Sequence, residues 1–296
     1  MTPDPDPDPD PVPGRAAWSP SPRELERRRQ RRRQRTRSLL VATAAVVVVF
    51  AGLGLAVVSS PGWPRVQALF FDWDHAQASF PEIRDRFWVN VKLFLLAEPV
   101  ILLLALAVAL ARSSRAALLV PLRLIAVVYT DLFRGIPTIL LILLLGFGMP
   151  ALRLQGVPNS ALFWAGVGLV LSYGAYVAEV FRAGIESIHP SQVASAEALG
   201  LSRGQTMRFV VVPQAVRRVV PPLLNDFVSL QKDTALVAVV GGFDAVFAAR
   251  DYGNFNFNYT PYVVVAVFFV LLTVPLARLT DWLQRRYAER ERAGAR

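Results

Sequence analysis

Seven ionisable side chains fall within or beside stretches that are otherwise apolar: Glu98, Asp131, Arg134, Glu179, Asp226, Lys232 and Asp233. A charge at membrane depth is costly, so it faces a partner, a cavity or a solute path. The chemistry open to such groups is recognition: carboxylates offer counter-charge to an ammonium group, and Arg134 or Lys232 offers it to a carboxylate. Asp131, Arg134, Glu179, Asp226, Lys232 and Asp233 are therefore candidates for a substrate path. Glu179 and Asp226 are favoured, because they lie near span ends rich in small residues such as Gly174 and Ala175, which permit close packing. Local roles stand beside these. Asp131 can pair with Arg134 three residues on, Lys232 can snorkel or join Asp233 in pairing with neighbours, and Glu98 can satisfy backbone beside Pro99. No Ser/His/Asp or paired-carboxylate arrangement points to an enzyme, so no catalytic residue is expected. His75 and His189 are too far apart for a metal site; His189 reads as a loop residue before a helix and His75 as solvent-exposed. Cysteine is absent, which excludes disulfides and thiolate metal sites.

The elements that carry these groups are apolar runs. Hydrophobic residues make up 54% of the 296-residue chain, and its mean hydropathy is +0.40. Runs such as 39–58, 135–152 and 154–178 carry no charge and approach or exceed the roughly 18 residues expected of a membrane helix. They lack the alternation of barrel strands, which leaves helices as the way to satisfy the backbone in lipid. An all-α integral membrane protein with six spans follows, at about 39–58, 88–111, 117–149, 159–181, 219–243 and 259–280. The segment Arg134-Gly135-Ile136-Pro137 is expected to break the third. Charge orients them. The segments 112–123, 182–218 and 278–296 each carry net +3, whereas 59–87 and 244–258 each carry −1. Basic loops stay inside, so both termini are expected in the cytoplasm. Residues 23–37 hold nine arginines against Glu24 and Glu26, a juxtamembrane segment suited to anionic lipid rather than nucleic acid. The Pro/Asp repeat that opens the chain cannot bury a core and reads as disordered.

One polar element interrupts this plan. HPSQVASAEALG reads as a short helix, with Pro190 in its first turn and Gly200 in the left-handed position past its end. Ser202 and Gln205 stand at capping-box spacing and open a second helix, which Pro213 is expected to kink or end. Val193, Ala196 and Leu199 fall near one face, where small side chains would let another surface approach. A DNA-reading helix-turn-helix lacks room between membrane spans. The pattern leaves both an ordinary ordered loop and a docking helix open.

These residues resemble a family. Ala194, Ser195, Ala196, Gly200, Val210 and Val212-Pro213 keep the spacing of the EAA loop of ATP-binding-cassette importer permeases, although Ala194 replaces the motif glutamate and Glu197 stands one turn later. YTDLFRGIPTILLI (129–142), SYGAYVAEVFRAGIESIHPSQ (172–192), PPLLNDFVSLQKDTALVAVVG (221–241) and residues 258–286 are similar to the polar amino-acid permeases. The resemblance covers residues 86–286 and implies a five-helix transmembrane domain with a coupling loop at 186–214. Residues 1–38 would then be a tail, 39–58 an added anchor helix and 287–296 a cytoplasmic tail. It implies a permease subunit that moves a polar amino acid across a bacterial plasma membrane. Ala194, Ser195, Ala196, Glu197, Leu199, Gly200 and Pro213 would couple it to a cytoplasmic ATPase. ATP and Mg would belong to that partner, with no cofactor on this chain. An extracytoplasmic amino-acid-binding protein and a second permease copy or a sibling would complete the assembly. Independently, neither lysine lies in a phosphate-cradling glycine loop, so ATP hydrolysis is expected on another chain. The competing reading is an ATPase-independent secondary transporter or channel; it predicts inverted repeats, which the sequence does not display.

Overall fold

A computed structural model describes residues 22–113 and 116–294. Among these residues every regular element is helical, as the apolar runs predict. Most of the Pro/Asp repeat and Arg115 lie outside the described residues. The chain divides into two units at residue 64. In the first, α1 (Pro22–Val58) is a single helix, so the arginine segment is helical and continuous with the anchor. The cause is local: Pro22 opens the helix, and no Gly or Pro interrupts the good helix formers after it until Gly52. No part of its apolar window is buried within the protein, as suits a helix that faces lipid.

Helix α2 (Trp63–Phe70) leads into the second unit. There α3 (Trp73–Ser113), α4 (Val120–Gly135), α5 (Thr138–Ala151) and α6 (Ala161–Glu186) are followed by the short α7 (Pro190–Ala198) and α8 (Arg203–Thr206). The chain ends in α9 (Val212–Asp233), a 3-10 stretch Thr234–Val240, α10 (Ala245–Asn256) and α11 (Thr260–Gly294). Helix α6 is the centre, packed against α3, α4, α5 and α9. Its small residues allow this. A Cβ on Gly184 would stand 2.1 Å from Val219 Cγ1 of α9, and one on Gly168 would stand 3.4 Å from the Ile142 backbone of α5. Ile101, Ile142, Leu169, Leu230 and Val237 form the buried core between them.

Among the described residues, four helices are long and apolar enough to cross a membrane, and α4 with α5 makes a fifth if their 103° bend is one broken span. The break falls at Ile136 and Pro137, both extended, because a residue before proline is pushed out of the helical region. The sixth expected span, 219–243, is not among them. Asp226, Lys232 and Asp233 interrupt its apolar run, and the α-helix gives way to the 3-10 stretch at Thr234. A buried polar tie fixes the outgoing chain: Asn90 Nδ2 donates to Asp244 Oδ2 at 2.9 Å, and Asp244 Oδ1 caps α10 through the Phe247 amide at 3.0 Å. Burial pushes the Asp244 carboxyl up from its ordinary value, and the hydrogen bonds from Asn90 and the backbone amides oppose that shift.

Candidate functional site

The polar loop folds as helix, turn, helix. His189 caps α7 by accepting from the Ser191 amide at 3.2 Å, and Pro190 takes the first turn. Gly200 has φ +85°, and the Leu201 amide reaches back to the Ala196 carbonyl at 3.1 Å. That bond and that φ form a Schellman-type stop, which glycine makes without strain. Ser202 and Gln205 then form a reciprocal capping box, at 3.3 and 2.8 Å. After α8 comes one π-helical turn, Met207–Val211, and Pro213 sits in the first turn of α9. The backbone stays helical from α8 through this turn into α9, so Pro213 does not end the helix but follows directly on the π-helical distortion.

The face expected for docking is corrected by this geometry. Ala196 is buried and Val193 half-buried against the chain's own core, while Leu199 is 83% exposed. Ala194, Ser195 and Gly200 are exposed with it, as is Pro213 beyond, while Glu197 is exposed at a cavity that Val193 also lines. Small side chains at 193 and 196 thus serve internal packing, and the outward face is the one carrying Ala194, Ser195 and Leu199.

Membrane-depth charges separate into two groups. In the first, Tyr173 of α6 donates to Asp233 Oδ2 at 2.7 Å, and Asp226 of α9 and Glu98 of α3 lie within electrostatic reach of that phenol. Asp226 Oδ2 is buried with no hydrogen-bond partner among the described residues. Three helices therefore converge on a carboxylate-rich cluster. Lys232 is exposed and does not join it. Tyr173 was not legible as a site residue, since a tyrosine in a Gly/Ala-rich helix also suits packing.

In the second, Glu179 is the hub of an arginine cluster. Arg112 donates to Glu179 Oε2 at 2.7 Å and to Thr130 Oγ1 at 2.8 Å. Arg182 donates to Glu179 Oε1 and pairs with Glu186. Arg134 approaches Glu179 Oε2 at 3.8 Å and leaves Asp131 exposed, so the expected Asp131–Arg134 pair is not formed. Glu179 thus binds together the ends of α3, α4 and α6, and its acceptor sites are occupied by the protein itself. The i, i+3 spacing of Glu179 and Arg182 was a signal for this; Arg112 counted only as loop charge in the sequence. His75 is half-buried rather than exposed, with Nδ1 2.9 Å from the Tyr252 hydroxyl.

Comparison with known proteins gives a consistent picture. The family model described as "binding-protein-dependent transport system inner membrane component" matches residues 105–289. A probable glutamine ABC transporter permease protein of Bacillus subtilis, GlnM, is 34% identical over 56% of this chain and 76% of its own length. The arginine transport system permease protein ArtQ of Bacillus subtilis is 31% identical over 69% of this chain and 91% of its own length. Among solved structures, an amino acid ABC transporter crystallised with histidines has 29% identity and a TM-score of 0.65, covering 73% of this chain and 98% of that one. The MetNI methionine ABC transporter in an inward-facing form, 18% identical with a TM-score of 0.57, shares the fold.

Proposed function

The chain belongs to the inner-membrane component family of binding-protein-dependent transport systems, and on that premise we propose that it carries a neutral or basic polar amino acid along the carboxylate cluster of α3, α6 and α9. It is a multi-pass helical permease subunit of an ABC importer, whose ATPase is a separate chain. The observation that carries the substrate class is the grouping of Glu98, Asp226 and Asp233 around Tyr173. Carboxylates in a poorly solvated site favour an ammonium or guanidinium group and disfavour a second acidic side chain. The relatives named for glutamine and arginine agree with that preference.

The remaining parts follow from the family and the loop. An ATPase holding ATP and Mg docks on the outward face of α7, with Ala194, Ser195, Leu199 and Gly200 in contact. A second permease copy or a sibling completes the pore, and an extracytoplasmic binding protein delivers the solute. The assembly sits in a bacterial plasma membrane with both termini in the cytoplasm. The test is purification of the tagged chain from its own membranes in mild detergent, followed by ATPase assay and reconstituted uptake of arginine, glutamine and glutamate. Expected are a co-purifying ATPase and uptake of arginine or glutamine well above glutamate. A chain that purifies alone and still transports would favour the secondary transporter, and preferred glutamate uptake would sink the carboxylate argument.

A further inference from the structure

Helix α6 carries two tyrosines three residues apart, and each meets a different charge. Tyr173 donates to Asp233 and has Asp226 and Glu98 within electrostatic reach. Tyr176 meets Arg134 of α4 twice. Its hydroxyl donates to the Arg134 carbonyl at 3.2 Å, and the Arg134 guanidinium lies over its ring, 5.8 Å from the centroid. The first contact follows from the break at Ile136–Pro137. The chain turns there by 103°, so the Arg134 carbonyl lacks the amide that a continuing helix would supply. The second is a cation–π contact, which steers the guanidinium without occupying its donors.

Arg134 differs in this from the other arginines at Glu179. Arg112 donates to Glu179 and Thr130, and Arg182 donates to Glu179 and Glu186. The Arg134 guanidinium donates no hydrogen bond among the described residues. Its Nη1 stands 3.8 Å from Glu179 Oε2, which Arg112 already reaches at 2.7 Å. Asp131 on the same helix is exposed and makes no pair with it. The Arg134 side chain is 40% exposed and Tyr176 44%, so a ligand can reach both. A planar fork with open donors matches a carboxylate. A charge at membrane depth avoids lipid tails, so the open side of Arg134 addresses a path through the protein.

We propose that Arg134, held over Tyr176, binds the α-carboxylate of the amino acid whose cationic group sits among the acids around Tyr173. Tyr173 and Tyr176 are neighbours on the surface of α6, about 4.5 Å apart along its axis. The acids and the arginine thus present opposite charges one step apart, as a zwitterion does. The carboxylate points toward the C-terminal end of α6. Tyr176 is a positioning residue, acting through Arg134. The proposal rests on the reading that takes the acid cluster as the cation site.

Equilibrium binding to the purified permease with its ATPase, in detergent and without the binding protein, tests it. The ligands are arginine and glutamine, each beside the amine that lacks only the carboxylate, agmatine and 4-aminobutanamide. Arg134→Gln is expected to lower the affinity ratio of amino acid to amine by about tenfold or more, the worth of a charge-assisted pair. It should do so by weakening the amino acid alone. Arg134→Lys, which keeps the charge and loses the fork, should fall between. Asp226→Asn should weaken amino acid and amine together. An unchanged ratio in Arg134→Gln overturns the proposal, and so does equal loss of both ligands, which would assign Arg134 to structure through Glu179. In either case the acid cluster stands if Asp226→Asn still weakens both. Should Arg134→Gln lower the thermal midpoint, Tyr176→Leu, which leaves the Glu179 arginines in place, carries the same expectation, and an undiminished ratio there overturns the proposal. A wild type that binds none of the four ligands overturns the cluster reading and the proposal together.

Discussion

Substitution of Gly200 separates the loop's fold from its contact with a partner. Gly200 has φ +85°, and nothing lies within 4 Å of where a Cβ would sit. A side chain there therefore costs only the left-handed backbone, about 1–2 kcal/mol for an ordinary L residue and less for asparagine. That is roughly a 5–30-fold shift in a local equilibrium, too little to unfold a core built on α6. Gly200→Asn is thus expected to express, unfold and transport much as wild type does. Gly200→Arg pays a similar backbone cost but projects a long cation from the exposed side that carries Leu199. It is expected to keep its thermal midpoint within a few degrees and to lose tenfold or more of ATP-dependent uptake. A tenfold loss corresponds to about 1.4 kcal/mol of docking free energy. The assay is uptake into proteoliposomes holding the purified transporter, with ATPase activity and co-purification measured on the same samples. Normal uptake by Gly200→Arg at normal expression would refute docking at this face. Equal loss in Gly200→Asn would show that the turn matters through its backbone instead.

Other substitutions test the packing and the charges. Gly184→Ala drives a methyl into Val219 Cγ1 at 2.1 Å and should cost about 1–3 kcal/mol in detergent unfolding; Val219→Ala in the same chain should recover most of it, and no recovery would argue against direct overlap. Asp244→Ala removes the cap of α10 and the partner of Asn90, an expected loss of about 2 kcal/mol by the same measurement. Glu179→Gln leaves three arginines around a neutral amide and should destabilise by about 3 kcal/mol; an unchanged midpoint would return Glu179 to the substrate path. Asp226→Asn should raise the uptake KM for arginine with a midpoint equal to or above wild type, since Asp226 Oδ2 has no hydrogen-bond partner to lose and an unpartnered charge goes. An unchanged KM would remove it from the path.

What could be read in advance was local. The break at Ile136–Pro137 and the stop at Gly200 follow from backbone restrictions of single residues, which no tertiary context has to supply. The capping box of Ser202 and Gln205 is likewise closed within four residues. Facing is a different matter. Val193 and Ala196 look like a docking stripe because small residues suit any close approach, and only the packing of α7 shows that the close neighbour is the chain itself. The same limit hid the role of Glu179. A lone carboxylate in a span can meet a solute or an arginine, and Arg112 reaches it from a helix 67 residues away in sequence. The segment 219–243 falls short of an apolar span by composition because Asp226, Lys232 and Asp233 lie within it.

Those two carboxylate environments divide one physical problem between them. Glu179 is answered by Arg112, Arg182 and Arg134, so its charge is neutralised within the protein and holds three helix ends together. The cluster at Tyr173 has three acids and no cation among its described contacts. A buried charge without a partner is destabilising, and under the proposed function a cationic group entering the cluster would offset that cost. The first environment is close to the coupling loop, where the Ser187 carbonyl ahead of α7 accepts from Arg218 of α9. That bond ties the segment between α6 and α7 directly to α9. Both helices also line the second environment, α9 with Asp226 and Asp233 and α6 with Tyr173, which donates to Asp233. Under the proposed function a displacement of the loop would alter the spacing of these acids, and Arg218→Gln should weaken ATP-dependent uptake while leaving the affinity for substrate in the resting state unchanged.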